Sequence, residues 1–158
     1  VITRIFDKDV IRDAVTHPHN WPWSSDDYSE SQTYTPCVDE VVYWLEYSQD
    51  GKHLGVYYVH PHSRTTCEIH TCLMPEARGK LAKIAANEVL LWLFSNTEFE
   101  KVVTHVPVNN PLALAYARRA GMKDEGINRK SIRVSGELID QFSLGVTKDE
   151  FLCQQQYQ

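Results

Sequence analysis

The sequence is poor in the features that would place it outside the ordinary soluble enzymes and binding domains. Its four cysteines, Cys37, Cys67, Cys72 and Cys153, form no Cys-x-x-Cys pair. That excludes a disulfide-stapled scaffold and a thiolate zinc ribbon, and leaves reduced, mostly packed thiols of the kind found in cytoplasmic proteins. Long apolar runs are absent as well. The longest, near Val89 to Phe94, falls far short of the roughly 20 residues that cross a bilayer. The N-terminal residues show no basic-then-apolar signal pattern, and a start at Val1 is read as the loss of an initiator Met. Cationic excess is lacking too. Sixteen Lys and Arg against 21 Asp and Glu leave a formal charge of −5, so neither nucleic acid nor an acidic membrane is an expected partner. An amine would be drawn to such a surface. No internal repeat, linker or low-complexity tract divides the 158 residues, which read as a single domain over 1–152 with a polar tail, 153–158, ending in Gln154-Gln155-Gln156-Tyr157-Gln158.

What is present is a regular alternation of elements. Val1 to Phe6 reads as a strand. Asp7 to Val15 follows as a helix with Ile11, Ala14 and Val15 on one face. Residues 16–37, rich in His, Pro, Ser, Asp, Tyr and Trp, read as a long loop or broken helix. Strands are expected at Val41–Tyr47, His53–His60 and Thr65–Leu73, the first two joined by a hairpin at Gln49-Asp50-Gly51-Lys52. Leu81, Ile84, Ala85, Val89 and Trp92 fall at helical spacing and predict a helix over about 79–94. A strand at 101–108, a short helix at 111–120 and two strands at 127–134 and 138–146 complete the chain. The plan is α+β, a mixed and mostly antiparallel sheet flanked by helices, with local parallel pairing expected at the two strand-to-helix crossovers.

Two histidine pairs, His17-Pro-His19 and His60-Pro-His62, invite a metal. No acidic or Cys ligand stands at a supporting spacing, so both are read as loop or surface histidines and no metal is expected.

Two segments carry chemistry. Pro75-Glu76-Ala77-Arg78-Gly79-Lys80 joins a strand to a helix, and a helix start offers unpaired N–H groups that suit a phosphate. Further on, the strand ending at Val108 runs into Asn110, a good N-cap, then Pro111 at the first helical position and Gly121 at the helix end. The helix between carries Ala113, Tyr116 and Ala117. These segments together resemble the coenzyme A-binding elements of the GNAT superfamily of N-acetyltransferases. Glu68-Ile69-His70 with Leu73-x-Pro75-Glu76 resembles the strand leading into the family's pyrophosphate loop. Glu125-Gly126-Ile127-Asn128-Arg129, Gly136, Asp140 and Thr147-Lys148-Asp149-Glu150 are similar to the closing hairpin of its ribosomal-protein N-terminal acetyltransferase branch and their small-molecule relatives. The likeness covers about residues 38–151. It departs at three places: Leu81 stands for Gly, Lys83 for Gly or Ala, and Ala117 for Tyr.

The resemblance implies acetyl-CoA as co-substrate. Its pyrophosphate would lie on Arg78, Gly79, Lys80, Leu81, Ala82 and Lys83, with backbone N–H groups near Cys72, Leu73 and Met74 at the thioester oxygen and Asn110 and Ala113 beside the coenzyme. The amine acceptor would be a protein N-terminus, a lysine or a small molecule. Alternation puts Thr66, Glu68, His70 and Cys72 on one strand face, so Glu68 and His70 are neighbours and candidate bases, directly or through water. Glu68 reads equally well as a solvated or salt-bridged strand residue, and His70 also as a pocket wall. Tyr116, one residue before the family's tyrosine, is the candidate acid for the leaving thiolate. Its alternative is packing with Leu112 and Ala113. Trp21, Trp23 and Asp140 are candidate acceptor contacts. Assembly is open, a homodimer included. A second reading makes the chain a phage-encoded GNAT-fold assembly or binding protein without catalysis, which would show a filled slot and a large apolar surface.

Overall fold

The computed structural model describes residues 1–156. The strands are β1 (Ile2–Arg4), β2 (Tyr43–Gln49), β3 (Lys52–Pro61), β4 (Thr66–Leu73), β5 (Lys101–Pro107), β6 (Lys123–Val134) and β7 (Glu137–Thr147). The helices are α1 (Lys8–Thr16), α2 (Trp21–Ser24), α3 (Lys80–Asn96), α4 (Pro111–Arg119) and α5 (Lys148–Gln155), with a 3₁₀ turn at Pro75–Ala77. All seven strands join one sheet in the order β1-β2-β3-β4-β5-β7-β6.

Local chemistry accounts for the boundaries. Asp7 accepts from the N–H groups of Asp9 and Val10 and starts α1. Asp50 and Gly51, at φ 52 and 76, turn β2 into β3. Positive φ at both central residues matches the twist of the flanking strands. Asn110 accepts from the Ala113 N–H at 3.1 Å and Pro111 opens α4. Thr147 and Glu150 cap α5 reciprocally. Two cores form. The larger packs α3 and α5 on the sheet through Leu45, Tyr57, Ile69, Val89, Leu93, Val102, Leu144 and Phe151. The smaller packs Ile11, Ala14 and Val15 of α1 on Trp44, Val56 and Cys72, which lie on the opposite sheet face.

Two expectations change. Among the described residues only one crossover makes adjacent parallel strands, β4 with β5. After α4 the chain forms β6 at the sheet edge, and β7 then inserts between β5 and β6, antiparallel to both. The apolar residues Leu144 and Val146 draw β7 inward, since both are fully buried. The polar end also holds more helix than its composition implies. α5 continues through Gln155, with the Gln154 amide donating to the Gly121 carbonyl and Gln155 to Asn87. Tyr157 and Gln158 of the expected tail lie outside the described residues. Among those described, no helix is long and apolar enough to cross a membrane.

Candidate active site

β4 and β5 pair over only three positions, Thr66 with Lys101, Cys67 with Val102 and Glu68 with Val103, and then part. The backbone of β4 shows what the opening exposes. At one end of the β3–β4 ladder the His62 N–H donates to the Thr66 carbonyl, and at the other the Met74 N–H donates to Leu54. In the antiparallel register, the even-numbered residues of β4 therefore turn their backbone groups toward β3. The odd-numbered ones face β5. The Thr104 hydroxyl confirms this by donating to the Ile69 carbonyl across the gap at 3.0 Å. Beyond that contact, the N–H groups of Thr71 and Leu73 point into the opening. Of the stretch expected at the thioester oxygen, Cys72 to Met74, only Leu73 turns its amide this way. Cys72 and Met74 send their amides to β3, and the Cys72 side chain is buried in the smaller core. Burial also pushes its thiol up to about 12, against a hydrogen bond with Ser24, so it is no nucleophile at neutral pH.

A cavity of about 130 Å³ fills the space between the parted strands, walled by Ile69, His70, Thr71, Thr104, His105 and Tyr116 among others. A second of about 350 Å³, sharing Trp23, Thr71, Asn110 and Tyr116 as walls, leads from it to the start of α3. Arg78, Lys83 and Arg119 stand at this larger cavity, and no acidic residue lines it. None of the three is in an ion pair among the described residues. α3 itself begins at Gly79 (φ 67) with no side-chain cap, so its first amides lack a side-chain acceptor. A protein of net charge −5 thus collects cations and free amides at one spot. The donor set fits a pyrophosphate. Leu81, one of the departures from the family pattern, does not line either cavity, and Lys80 is exposed outside them. Ala82 lines the larger cavity in their place.

Leu112 is 81% exposed and offers Tyr116 no buried surface to pack on. The Tyr116 hydroxyl meets that of Tyr57 at 2.9 Å and lies at the wall of both cavities. Burial pushes its phenol up to about 12, with hydrogen bonds to Tyr57 and Thr71 working the other way. It therefore holds its proton at neutral pH. Ala117 is buried beside it and also faces the smaller cavity. The one-residue offset in sequence still brings a hydroxyl into the slot.

The opposite edge of the slot is a polar cluster. Glu68 is 9% exposed yet ionisable. Its Oε1 lies 3.0 Å from His105 Nδ1 and 3.3 Å from His70 Nε2. Its Oε2 lies 2.8 Å from His62 Nε2 and 3.7 Å from His60 Nε2. Burial raises its carboxyl, but the hydrogen bond with His105 and the charges of His70, His105 and His60 outweigh it and hold the group below its usual range. Burial lowers His70 and His60, with Glu68 opposing in both. Both are therefore neutral bases near pH 7. The rings of His60 and His70 stack 5.5 Å apart at 16°, and Tyr58 stacks on His70.

Sequence reasoning brought Glu68 and His70 together correctly, and Asn110, Ala113, Arg78, Gly79 and Lys83 line the slot as a group. It missed His105, Thr71, Tyr57 and Arg119. Alternation along β5, with the parallel neighbour β4, was the signal for His105. His60 and His62 were read as lacking an acidic neighbour. The β3–β4 register overturns that by pairing His60 with Glu68. Of the acceptor candidates, Trp23 lines both cavities and is half exposed. Trp21 is spent on packing, edge-on to Tyr34 at 5.7 Å in the smaller core. Asp140 lines neither cavity. Its carboxylate accepts from the Lys130 N–H at 2.8 Å and pins a bulge in β6, where Lys130 takes φ 49.

Residues 9–152 match the family described as "Protein of unknown function (DUF2824)", and the chain belongs to that family. Over 85 residues it is 27% identical to protein p31 of Acyrthosiphon pisum secondary endosymbiont phage 1, a match covering 54% of this chain and 55% of that protein. The chain thus spans about half the length of that relative. Among solved structures, a point mutant of spermidine N-acetyltransferase SpeG from Vibrio cholerae superposes with a TM-score of 0.78 at 15% identity, over 98% of this chain and 99% of that one. The same enzyme in complex with CoA and spermine gives 0.71 at 16% identity, over 96% and 97%. A dodecameric form gives 0.65 at 20% identity, over 73% and 70%. At these identities the likeness is one of fold. The fold is that of the GNAT acetyltransferases; the ribosomal-protein branch rests on sequence resemblance alone.

Proposed function

We propose that this member of the DUF2824 family is an acetyl-CoA-dependent N-acyltransferase that acts on a primary amine. The observation that carries the reading is the slot between β4 and β5, which runs from His70 and His105 to an unpaired cationic mouth at the start of α3. The filled slot expected of a purely assembling protein is not what this geometry offers, although the relative p31 belongs to a phage and favours a phage-encoded origin.

Each residue has a role in that reading. Arg78, Lys83 and Arg119, with the first amides of α3, hold the pyrophosphate. Gly79 permits the turn, since its φ of 67 is costly for other residues. Acetyl-CoA supplies the thioester carbonyl and a thiolate leaving group. The amides of Thr71 and Leu73 stabilise negative charge at the carbonyl oxygen. His70 and His105 both line the slot, and one of them takes the amine proton. For His105, Glu68 holds Nδ1 and stabilises the imidazolium that forms. Tyr116 gives its proton to the departing thiolate. Among the expected acceptors we favour a small polyamine over a protein N-terminus or lysine, because the solved relative of this fold binds spermine beside CoA and an acidic chain attracts cations.

The test is transfer to spermidine by the purified protein, followed by the mass of the acetylated product and by thiol release. Product formation that falls on His105→Ala and on Tyr116→Phe supports the reading. Unchanged spermidine and unchanged amine-bearing peptides after prolonged incubation with acetyl-CoA would overturn it.

A further inference from the structure

Three side chains across the β3–β4 hairpin point their donor atoms at one another. His60 Nε2 and His70 Nε2 are 3.4 Å apart. His70 Nε2 is 3.3 Å from Glu68 Oε1, and His60 Nε2 is 3.7 Å from Glu68 Oε2. One ligand atom from each residue thus falls within a single 4.8 Å span. A tetrahedral site with bonds of about 2.0–2.1 Å has edges of about 3.3–3.4 Å, so these separations need only small side-chain adjustments to close on an ion. In the protein alone the arrangement is awkward. Two imidazole nitrogens that face each other can share at most one hydrogen, and each is also close to a carboxylate.

We propose that His60, His70 and one oxygen of Glu68 form a binding site for a divalent transition ion of the zinc class. The donor set is two imidazoles and a carboxylate, which suits zinc and its neighbours and not magnesium or calcium. The surroundings have the form that such sites require. Glu68 also holds His62 Nε2 at 2.8 Å and His105 Nδ1 at 3.0 Å, and outer partners of this kind fix the orientation of a ligating carboxylate. Tyr58 packs against both rings, at 5.4 Å from His60 and 5.8 Å from His70, and holds them in place. The His60 and His70 side chains keep 30% and 43% of their surface, so an ion has a way in and a position left for water or a fourth ligand.

The site goes beyond the acyltransferase reading but shares Glu68 and His70 with it. Metal binding is therefore measured directly, not through turnover. A failed metal titration leaves acetyl transfer standing, and failed acetyl transfer leaves the metal site standing. Protein stripped with a chelator and dialysed is titrated calorimetrically with zinc at pH 7.5, with cobalt(II) absorption as a second readout. The expected result is one ion per chain with a micromolar or tighter Kd, and intense visible bands for tetrahedral cobalt. Zinc at about a hundred times its Kd should raise the melting temperature by about 5–10 °C. His60→Ala and His70→Ala should each weaken binding at least about tenfold, as losses around metal sites do. A His17→Ala, His19→Ala double variant should bind as before. If His70→Ala does not fold, the milder substitution His60→Gln carries the test. No saturable heat up to about 1 mM zinc, which bounds the affinity below a specific site, would overturn the proposal. So would stoichiometric binding that survives His60→Gln, or binding lost in the His17/His19 variant.

Discussion

Along β4, alternate residues meet two different environments. Cys67 and Ile69 are buried against the apolar residues of α3 and β5. Glu68 and His70, one step away on the same strand, meet four other polar or aromatic rings and partial solvent. The first environment holds the two strands together up to Val103, and beyond it the core thins into a cavity. The second arms the edge of that cavity with titratable groups. One strand thereby fixes the place of the opening and supplies its chemistry, and substitutions on its two faces should separate these contributions.

The largest effect should come from the apolar face. Ile69→Ala removes a side chain that is 5% exposed and should cost about 2–5 kcal/mol in urea unfolding. The next should be kinetic. Tyr116→Phe should lower kcat by about 100-fold with little change in KM, in line with loss of a positioned acid. Its stability cost should be only about 1 kcal/mol, from the hydrogen bond to Tyr57.

The polar face should be read out by pH. Glu68, His60 and His70 all titrate below their ordinary values in the fold. The unfolded chain therefore binds more protons at each, so stability rises with pH. For the histidines it falls as pH drops from about 6.5 through their folded values, and for Glu68 it falls further below the usual carboxylate range. Urea midpoints at pH 7.5, 6 and 4.5 should decline in that order. Glu68→Gln should flatten the lower part of the decline and cost about 1–3 kcal/mol at pH 7.5, because the amide keeps one oxygen and His62 and His105 contact different ones, so one of the two loses its acceptor. Smaller still is the contrast of the two tryptophans. Trp21→Ala should destabilise, since the ring is packed on Tyr34, whereas Trp23→Ala should spare stability and raise the acceptor KM. Leu112→Ser, at an 81% exposed position, should shift stability by less than about 0.5 kcal/mol.

Much of the fold was legible because it rests on local signals. The Asp50-Gly51 turn, the Asn110-Pro111 helix start and the apolar spacing of α3 each act within a few residues, and each lies where the sequence places it. What the sequence hid depends on partners far apart in the chain. The place of β7 between β5 and β6 is decided by burial of Leu144 and Val146. The alternation that marks these residues as inward does not say which neighbour they will meet. The histidines were hidden for the same reason. Spacing within His60-Pro-His62 shows no acid, and Glu68 arrives only through the register of the next strand. The sequence also left Tyr116 open between acid and packing residue, because the partner its hydroxyl meets, Tyr57, is far away in the chain.

The most direct test of the account is a calorimetric titration of the purified protein with acetyl-CoA, set beside an Arg78→Ala, Lys83→Ala variant. Saturable binding in the micromolar range is expected, weakened at least about tenfold in the variant, the loss expected when charge-assisted phosphate contacts go. Absence of binding at millimolar acetyl-CoA, or binding that is indifferent to both substitutions, would contradict it.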